Sequence, residues 1–273
     1  MYPHPRLRRR IPPRRSASHD RPERFLVKLA LFADIHANLE AISACLAHAQ
    51  ALGAERHAFL GDLIGYGADP VAVLELIELH AKNGAAVVLG NHDAAALGRE
   101  FSPMNANAQA AIAWTQAQLG KTQRDFLASL PLTVKEGNML FVHASAAAPA
   151  RWNYISDAAD AQQSMDAGGA NYIFCGHVHQ AMLYYMGSGG RPMPFVPTPG
   201  IPIPTGGHRQ WLAIVGSAGQ PRDGNPAASY AMFDTERERL TFFRVAYAHA
   251  LAAQKIRSAG LPPRLAMRLE RGA

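Results

Sequence analysis

The sequence has few cysteines and no long apolar run. Its two cysteines, Cys45 and Cys175, are far apart, and neither belongs to a CxxC pair. A disulfide framework is therefore not expected, and a reducing cytosol is the expected compartment. No apolar stretch reaches the roughly 18 residues that a membrane-spanning helix needs. We therefore expect a cytoplasmic protein that does not bind a membrane.

The sequence also lacks an excess of charge of either sign outside the N-terminal segment. The chain has 27 Lys and Arg and 21 Asp and Glu, a formal net charge of +6. Residues 1–28 hold nine of the basic and two of the acidic residues, so the other 18 basic and 19 acidic residues give a net charge of −1. A nuclease that acts on polymeric DNA or RNA usually presents a basic groove. The charge of the body argues against that class, although a local basic patch remains open.

Residues 1–25 form a Pro- and Arg-rich segment that we expect to be a disordered basic tail, because it has too few apolar groups to bury. It could be a polybasic interaction arm, a transit peptide, or sequence upstream of a true translation start near Val27, which we favour. Residues 26–273 are expected to form one domain with a C-terminal helical extension.

From Val27 onward, short apolar segments alternate with segments of helical periodicity. Val27–Ala33, His57–Leu60 and Ala86–Leu89 are predicted strands, with predicted helices over Leu39–Leu52 and Val71–Lys82 between them. This β-α-β-α-β order favours a mainly parallel sheet with crossover helices.

After two predicted helices in residues 103–130, separated at Gly120, the pattern changes to short strands. We expect a second, more antiparallel sheet, a long loop over residues 187–207, and two C-terminal helices, the second one short and basic. The strands predicted for the second sheet are Leu132–Lys135, Met139–Val142, Tyr172–Cys175, Met182–Tyr185, Leu212–Val215, Tyr230–Phe233 and Leu240–Val245.

Five polar motifs follow predicted strands, which is where open α/β sheets place their ligands. Their side chains offer oxygen and imidazole groups without cysteine, a set that suits hard or borderline divalent cations. The motifs are Asp34-Ile35-His36, Gly61-Asp62, Gly90-Asn91-His92-Asp93, His143, and Gly176-His177-Val178-His179. Two such ions about 3.5–4 Å apart can activate a water and stabilise both oxygens of a phosphoryl displacement.

In this order the motifs closely resemble the calcineurin-like metallophosphoesterase superfamily, with its pattern D-x-H, G-D, G-N-H-D/E, H and G-H-x-H. The resemblance extends from Val27 to about Phe243. It implies an α/β fold, a four-layer α/β/β/α sandwich of two packed mixed sheets flanked by helices. It also implies two divalent metal ions, with Mn²⁺ favoured and Fe, Zn, Ni or Mg as alternatives.

The resemblance further implies a role for each motif residue. One ion would be bound by Asp34, His36, Asp62 and His179. The other would be bound by Asp62, Asn91, His143 and His177. The expected reaction is hydrolysis of phosphomonoesters or phosphodiesters by a metal-bound hydroxide, with His92 assisting the leaving group.

The second motif departs from the protein-phosphatase branch of that superfamily. Gly65 stands where the branch has an Asp that orients the catalytic His, and Tyr66 stands where it has a phosphate-binding Arg. The Gly-Tyr-Gly form resembles the small bacterial phosphodiesterase/phosphatase branch, so a small phosphate ester is the expected substrate. Arg222, which lies in a segment that also resembles this branch, and His208 in a Gly-rich loop are candidate substrate contacts.

Further features have more than one interpretation. A non-catalytic metal-binding scaffold is an alternative function, but it would tolerate loss of His92, which is present. Trp152, Tyr154 and Arg151 could stack on a nucleoside or could be ordinary loop packing. We interpret the basic residues of the C-terminal helices, including Lys255 and Arg268, as a solvated face.

Overall fold

Two six-stranded mixed sheets lie face to face in a computed structural model that describes residues 27–99 and 104–273. The predicted basic tail over residues 1–25 lies outside the described residues. The strands of the first sheet, in spatial order, are Ala86–Val87 (β3), Arg56–Phe59 (β2), Lys28–Phe32 (β1), Ala228–Asp234 (β11), Arg239–Val245 (β12) and Ile203–Pro204 (β9). Those of the second are Thr133–Glu136 (β4), Met139–Val142 (β5), Tyr172–Cys175 (β6), Trp211–Val215 (β10), Ala181–Met186 (β7) and Pro192–Phe195 (β8).

Each sheet combines a parallel part with an antiparallel part. In the first, β1, β2 and β3 are parallel, and β11 and β12 continue the sheet in antiparallel pairs. In the second, β5, β6 and β10 are parallel, while β4, β7 and β8 are antiparallel to their neighbours. Parallel strands end at one edge, so each sheet brings several strand ends to the same side.

Helices cover the outer faces of the sheets. They are Leu39–Ala51 (α1), Pro70–Lys82 (α2), Asn91–Ala96 (α3), Ala106–Gln118 (α4), Lys121–Ser129 (α5), Ala158–Gly168 (α6), His249–Ser258 (α7) and Pro263–Arg271 (α8), with a 3₁₀ turn at Pro149–Arg151. Helix α1 begins after Asn38 because the Oδ1 of Asn38 accepts a hydrogen bond from the Ala41 amide at 3.1 Å. The predicted four-layer α/β/β/α arrangement is confirmed.

The strand period of two separates the layers. On β1, Leu29 and Leu31 pack in the core between the two sheets, whereas Ala30 and Phe32 pack in the core against the helices of the first sheet. A third core, which contains Cys175, lies between the second sheet and α6. Burial of both strand faces explains why these segments are almost continuously apolar.

The structure corrects the predicted membership of the second sheet. Strands β11 and β12 belong to the first sheet, where Leu29 of β1 pairs with Phe233 of β11. Hydrophobic periodicity identifies a strand but does not specify its partner, because pairing is fixed by long-range packing. The predicted loop over residues 187–207 contains β8 and β9, whose prolines suit edge positions.

Two helices were not predicted. Helix α3 begins inside the third motif at Asn91, and α6 covers the second sheet. Within the described residues, no helix is both long and apolar enough to cross a membrane.

Candidate metal centre

The five motifs meet at one edge of the two sheets. Asp34 and His36 follow β1, Asp62 follows β2, and Asn91 and His92 follow β3 at the start of α3. From the second sheet, His143 follows β5, and His177 and His179 follow β6. All of these side chains are buried except the half-buried Asn91.

Sharp turns in left-handed backbone conformation aim these side chains at the centre. The φ angles are 51° at Asp34, 50° at His36, 51° at Asp62, 69° at His177 and 64° at His179. Residues other than glycine rarely adopt this conformation, and such strain concentrates at functional sites. The turns let side chains two positions apart, such as Asp34 and His36, enter the same cavity.

Asp93 holds two of the motifs together, a role that the sequence interpretation did not assign. Its carboxylate accepts hydrogen bonds from the amides of Gly90 (2.9 Å), Leu63 (2.9 Å) and Ile64 (3.1 Å). A Cβ atom on Gly90 would overlap with Asp62, so the third motif needs glycine there. The fourth position of the G-N-H-D motif was the signal that could have indicated this positioning role.

The first group of candidate ligands consists of Asp34, His36 and His179. The Nε2 atoms of His36 and His179 are 3.2 Å apart, and Nε2 of His179 is 3.6 Å from Oδ1 of Asp34. Nδ1 of His179 donates to the Gln220 carbonyl at 2.6 Å, and Nδ1 of His36 faces the Ile64 carbonyl at 3.3 Å. These outer hydrogen bonds leave both Nε2 lone pairs directed at the centre.

The second group consists of Asp62, His143 and His177, with Asn91 beside them. Nε2 of His143 is 3.1 Å from Nδ1 of His177 and 3.0 Å from Oδ1 of Asn91. Nδ1 of His143 donates to the Leu60 carbonyl at 2.8 Å, which directs Nε2 inward.

Asp62 lies between the two groups. Its Oδ1 is 3.4 Å from Nε2 of His143, and its Oδ2 is 3.7 Å from Nε2 of His36. The His92 amide donates to Oδ1 at 2.8 Å and fixes the carboxylate in this orientation. One oxygen of Asp62 therefore faces each group.

The charge state of these residues fits divalent cations. Burial lowers the pKa of His177 to about 3 and holds the pKa values of His36 and His179 well below their ordinary value, so all three rings are neutral. Burial also raises the pKa of Asp34 to about 7, which a nearby cation would reverse. For Asp62, burial acts in the same direction, but the charges of His143 and His92 hold its pKa well below its usual range. Burial would lower the pKa of His143, but the charge of Asp62 and a hydrogen bond to it raise this pKa to about 9, so a cation bound here would displace the proton of that ring.

An unsatisfied carboxylate oxygen supports the same conclusion. Oδ1 of Asp34, which faces Nε2 of His179, is buried and has no hydrogen-bond partner. Such atoms are uncommon in folded proteins unless they have another partner, such as an ion. Imidazoles and carboxylates without thiolates form a donor set that suits divalent metals.

His92 lies against the first ligand group and against Tyr66. Its ring centroid is 4.4 Å from the ring of Tyr66 and 4.9 Å from the ring of His36. Its Nδ1 is buried without a hydrogen-bond partner and faces Gly65, where a Cβ atom would lie 2.7 Å away. Gly65, at φ +87°, therefore permits a close approach of the backbone to His92. Packing against Tyr66 holds the His92 ring, whereas a carboxylate orients the corresponding ring in the protein phosphatases.

The structure brings one of the two candidate substrate contacts to the centre. The Arg222 guanidinium carbon is 5.9 Å from the ring centroid of Tyr66, and its charge lowers the pKa of Asp34 and of His36. Tyr154, which stacks on His177 at 4.1 Å, also lies beside Arg222. Tyr154, for which the sequence left nucleoside stacking and loop packing open, thus lies beside His177 and Arg222.

His208 does not reach the centre. It precedes β10, whose first residue, Trp211, pairs with Tyr172 at the start of β6, whereas the ligands follow Cys175 at the end of β6. The exposed ring of His208 therefore lies at the opposite end of the second sheet and contacts Arg209. The Gly-rich composition of the loop around His208 does not indicate at which end of the sheet this loop lies.

The C-terminal basic residues are not uniformly solvated, contrary to the sequence interpretation. Lys255 of α7 forms ion pairs with Glu40 and with Asp69. Arg268 of α8 is half-buried and donates toward Gln220. Helices α7 and α8 pack with Tyr66 and α4 in a fourth core, which explains why this face turns inward.

A cavity of about 900 Å³ opens beside the centre. Its wall includes Asn91, His92, Tyr154 and His177 on the metal side, and the residues of α4 on the other side. The described residues therefore leave room for a small organic ester next to His92.

Comparison with known proteins gives a consistent result. A family model, the calcineurin-like phosphoesterase superfamily domain, matches residues 27–238. The protein MJ0912 of Methanocaldococcus jannaschii is 34% identical over 255 residues, which cover 88% of this chain and 96% of that protein.

Two crystal structures share the fold over almost their whole length. A metallophosphoesterase from Sphaerobacter thermophilus is 35% identical, with a TM-score of 0.80 over 90% of this chain and 99% of that chain. Protein PH1004 from Pyrococcus horikoshii OT3 is 20% identical, with a TM-score of 0.73 over 91% of this chain and 99% of that chain. The second likeness concerns the fold alone.

Proposed function

We propose that this chain, which belongs to the calcineurin-like phosphoesterase superfamily, hydrolyses small phosphate monoesters or diesters at a centre of two divalent metal ions. Family membership makes it a metal-dependent phosphoric ester hydrolase. The number of ions, the role of each residue and the type of substrate are our proposal. The observation that carries it is Asp62, which turns one carboxylate oxygen to each of two separate ligand groups.

The ligand groups indicate how the ions would be held. One ion would be bound by Asp34, His36, Asp62 and His179, and the other by Asp62, Asn91, His143 and His177. Bound divalent ions supply Lewis acidity and an activated water for phosphoryl displacement. We favour Mn²⁺, because the set consists of oxygen ligands and imidazoles without a thiolate, with availability deciding among Mn²⁺, Fe, Zn, Ni and Mg.

We assign His92 to the leaving group. Its buried ring is adjacent to Asp62 and borders the cavity that would receive the ester. Burial lowers the pKa of His92, and the negative charge of a bound phosphate ester would oppose this and favour the protonated ring. A ring N–H at this position can then donate a proton to the departing oxygen.

We assign Arg222 to the phosphoryl oxygens. Tyr66 occupies the position of the phosphate-binding Arg of the protein phosphatases, and Arg222 lies over the Tyr66 ring. The buried Nε of Arg222 has no hydrogen-bond partner, so the guanidinium keeps a donor for an anion. Arg222 would thus supply the phosphate donor that position 66 lacks. The Gly65 and Tyr66 departures from the protein-phosphatase motif support a small-molecule ester, as in the small bacterial phosphodiesterase/phosphatase branch, rather than a phosphoprotein.

We also propose a cytosolic location. Cys45 and Cys175 are both buried free thiols in different cores, as expected in a reducing compartment. Subcellular fractionation tests this, and recovery of the protein outside the cytosol would contradict it.

The test of the function is hydrolysis of bis-p-nitrophenyl phosphate and p-nitrophenyl phosphate by metal-stripped and Mn²⁺-loaded protein. We expect hydrolysis of at least one ester only with metal, and we expect His92→Ala to lower kcat by about 10²–10⁴-fold. The metal content of His92→Ala should stay at that of the wild type. His208→Ala is the matched control and should keep its activity, because His208 lies at the far end of the second sheet.

Two outcomes would contradict this proposal. Full activity of His92→Ala would remove the role given to His92. A metal-loaded wild type that hydrolyses no phosphate ester would favour the non-catalytic scaffold instead.

A further inference from the structure

Two guanidinium groups lie side by side at the outer edge of the metal centre. Arg222 donates to Oε1 of Gln220 at 3.0 Å, and Arg268 of α8 donates toward the same oxygen at 3.4 Å. The hydroxyl of Tyr66 also lies beside both, and their charges offset part of the rise in its pKa that burial causes. The two guanidinium groups therefore share two neutral oxygen atoms, Oε1 of Gln220 and the hydroxyl of Tyr66.

These two cations lack an anionic partner in the part of the chain that the structure describes. No carboxylate forms an ion pair with Arg222 or Arg268 there, whereas Arg244 nearby is paired with Asp223. Burial and the charge of Arg222 both lower the pKa of Arg268. Like charges held together at partly buried positions are unfavourable unless an anion joins them.

The two groups come from different elements. Arg222 acts on the centre, because its charge lowers the pKa values of Asp34 and His92. Arg268 extends from α8 to the Tyr66 hydroxyl and Gln220. Since both guanidinium groups reach the same Gln220 oxygen, an anion that contacts Arg222 would have a second guanidinium beside it.

Arg222 also retains an unused donor. Its Nε is buried and has no hydrogen-bond partner, while one of its terminal nitrogens is used by Gln220. A guanidinium offers several N–H groups in a fixed plane that matches phosphate oxygens. The geometry is that of an anion site with donors still available.

We propose that Arg268, together with Arg222, forms a second anion subsite that binds an additional phosphate group of the substrate. Arg222 contacts the phosphate that is cleaved, and Arg268 contacts the second one. The substrate is therefore a phosphate ester that carries a second phosphate. This inference rests on the proposed function and specifies, in addition, that the substrate carries a second phosphate.

A pair of chromogenic esters tests the subsite. One is the p-nitrophenyl ester of thymidine 5′-phosphate, and the other is the same ester with an additional 3′-phosphate. With Mn²⁺-loaded wild type, we expect the 3′-phosphate to raise kcat/KM about tenfold through a lower KM, the gain from one charge-assisted contact.

Substitution of Arg268 should abolish this preference. In Arg268→Met the ratio of kcat/KM for the two esters should fall to about one, and Arg268→Lys should keep part of it. Arg271→Met is the matched control, because it removes the same charge from an exposed position of α8 and should keep the wild-type ratio. Thermal unfolding of each variant verifies that it is folded.

The outcomes separate the two proposals. A wild type that cleaves the parent ester without any preference, or an Arg268→Met variant that keeps the preference, would overturn the subsite and leave the proposed function intact. A purely structural role of Arg268 would change both esters equally and would also overturn it. If the Mn²⁺-loaded wild type cleaved neither of these esters, nor bis-p-nitrophenyl phosphate, nor p-nitrophenyl phosphate, both the proposed function and this inference would be overturned. Cleavage of p-nitrophenyl phosphate alone would overturn this inference and leave the proposed function intact.

Discussion

The two sheets have the same number of strands and the same mixture of directions, but they supply different chemistry to the metal centre. The first sheet contributes both carboxylates, Asp34 and Asp62, together with the Asn91 amide and His36. The second contributes only imidazoles, from His143, His177 and His179. Negative charge therefore comes from one sheet, and nitrogen donors come mainly from the other.

Each ligand group nevertheless contains residues from both sheets. Hydrogen bonds across the interface fix their relative position: the His177 amide donates to Oδ2 of Asp34 at 2.8 Å, and Nδ1 of His143 donates to the Leu60 carbonyl at 2.8 Å. The centre is therefore formed by the interface between the two sheets and not by either sheet alone. Variants that act on one sheet, the other, or the core between them should therefore have effects of different size.

The largest effect should come from Asp62, the residue of the first sheet that faces both groups. Asp62→Asn should lose both ions and lower hydrolysis of bis-p-nitrophenyl phosphate by at least about a thousandfold, because charge and bridging geometry disappear together. Metal analysis and steady-state kinetics measure this. The exposed Asp166→Asn is the control for loss of a carboxylate, and a variant at position 62 that still binds two ions would contradict the bridge.

One imidazole from each sheet should have a smaller and more local effect. His36→Ala and His177→Ala should each reduce the metal content by about one ion and lower activity by about 10–100-fold, since each touches a single group. Measuring the metal content of both variants tests whether an imidazole from each sheet serves a single ion. If either variant lost both ions, the two groups would not be separable in the way the geometry indicates.

The core between the sheets should matter for both stability and metal binding. Phe174 is buried there and contacts Phe233 of the first sheet, with ring centroids 5.5 Å apart. Phe174→Ala should reduce the free energy of unfolding by about 3–5 kcal/mol and weaken metal affinity. Ile173→Val, on the opposite face of β6, should lose only about 1 kcal/mol and keep metal affinity. Equal metal affinity in the two variants would contradict an interface-dependent centre.

The smallest effect should come from a histidine of the first sheet outside the centre. Burial, followed by the charge of His80, lowers the pKa of His57 to about 4. Since this folded-state pKa lies below the unfolded value of about 6.5, the neutral ring contributes stability above pH 6.5 that is lost as pH falls toward 4. The difference in unfolding free energy between wild type and His57→Gln should shrink by about 1 kcal/mol from pH 7 to pH 5, because His57 is only half-buried. A pH-independent difference in urea unfolding would contradict this.

Much of the fold, and the meeting of the candidate ligands at one edge of the sheets, could be predicted because each motif joins a strand end to a turn. Strands β5 and β6 have the predicted bounds, since each is a continuous apolar run that polar or glycine residues end. The membership of β11 and β12 could not be predicted, because strand pairing joins residues about 200 positions apart. Helix α3 was missed because it is only six residues long and begins with polar motif residues.

Sequence alone could determine which residue types meet at the metal centre, because each motif joins a strand end to a turn whose side chains suit a divalent cation. Only the tertiary structure decided which end of the sheet a loop belongs to. It removed His208 from the centre and brought Arg222 and Arg268 together beside Tyr66. The physical reason is that ligand type is a local chemical property, whereas proximity of residues from a loop and from a distant C-terminal helix is set by packing of the whole chain.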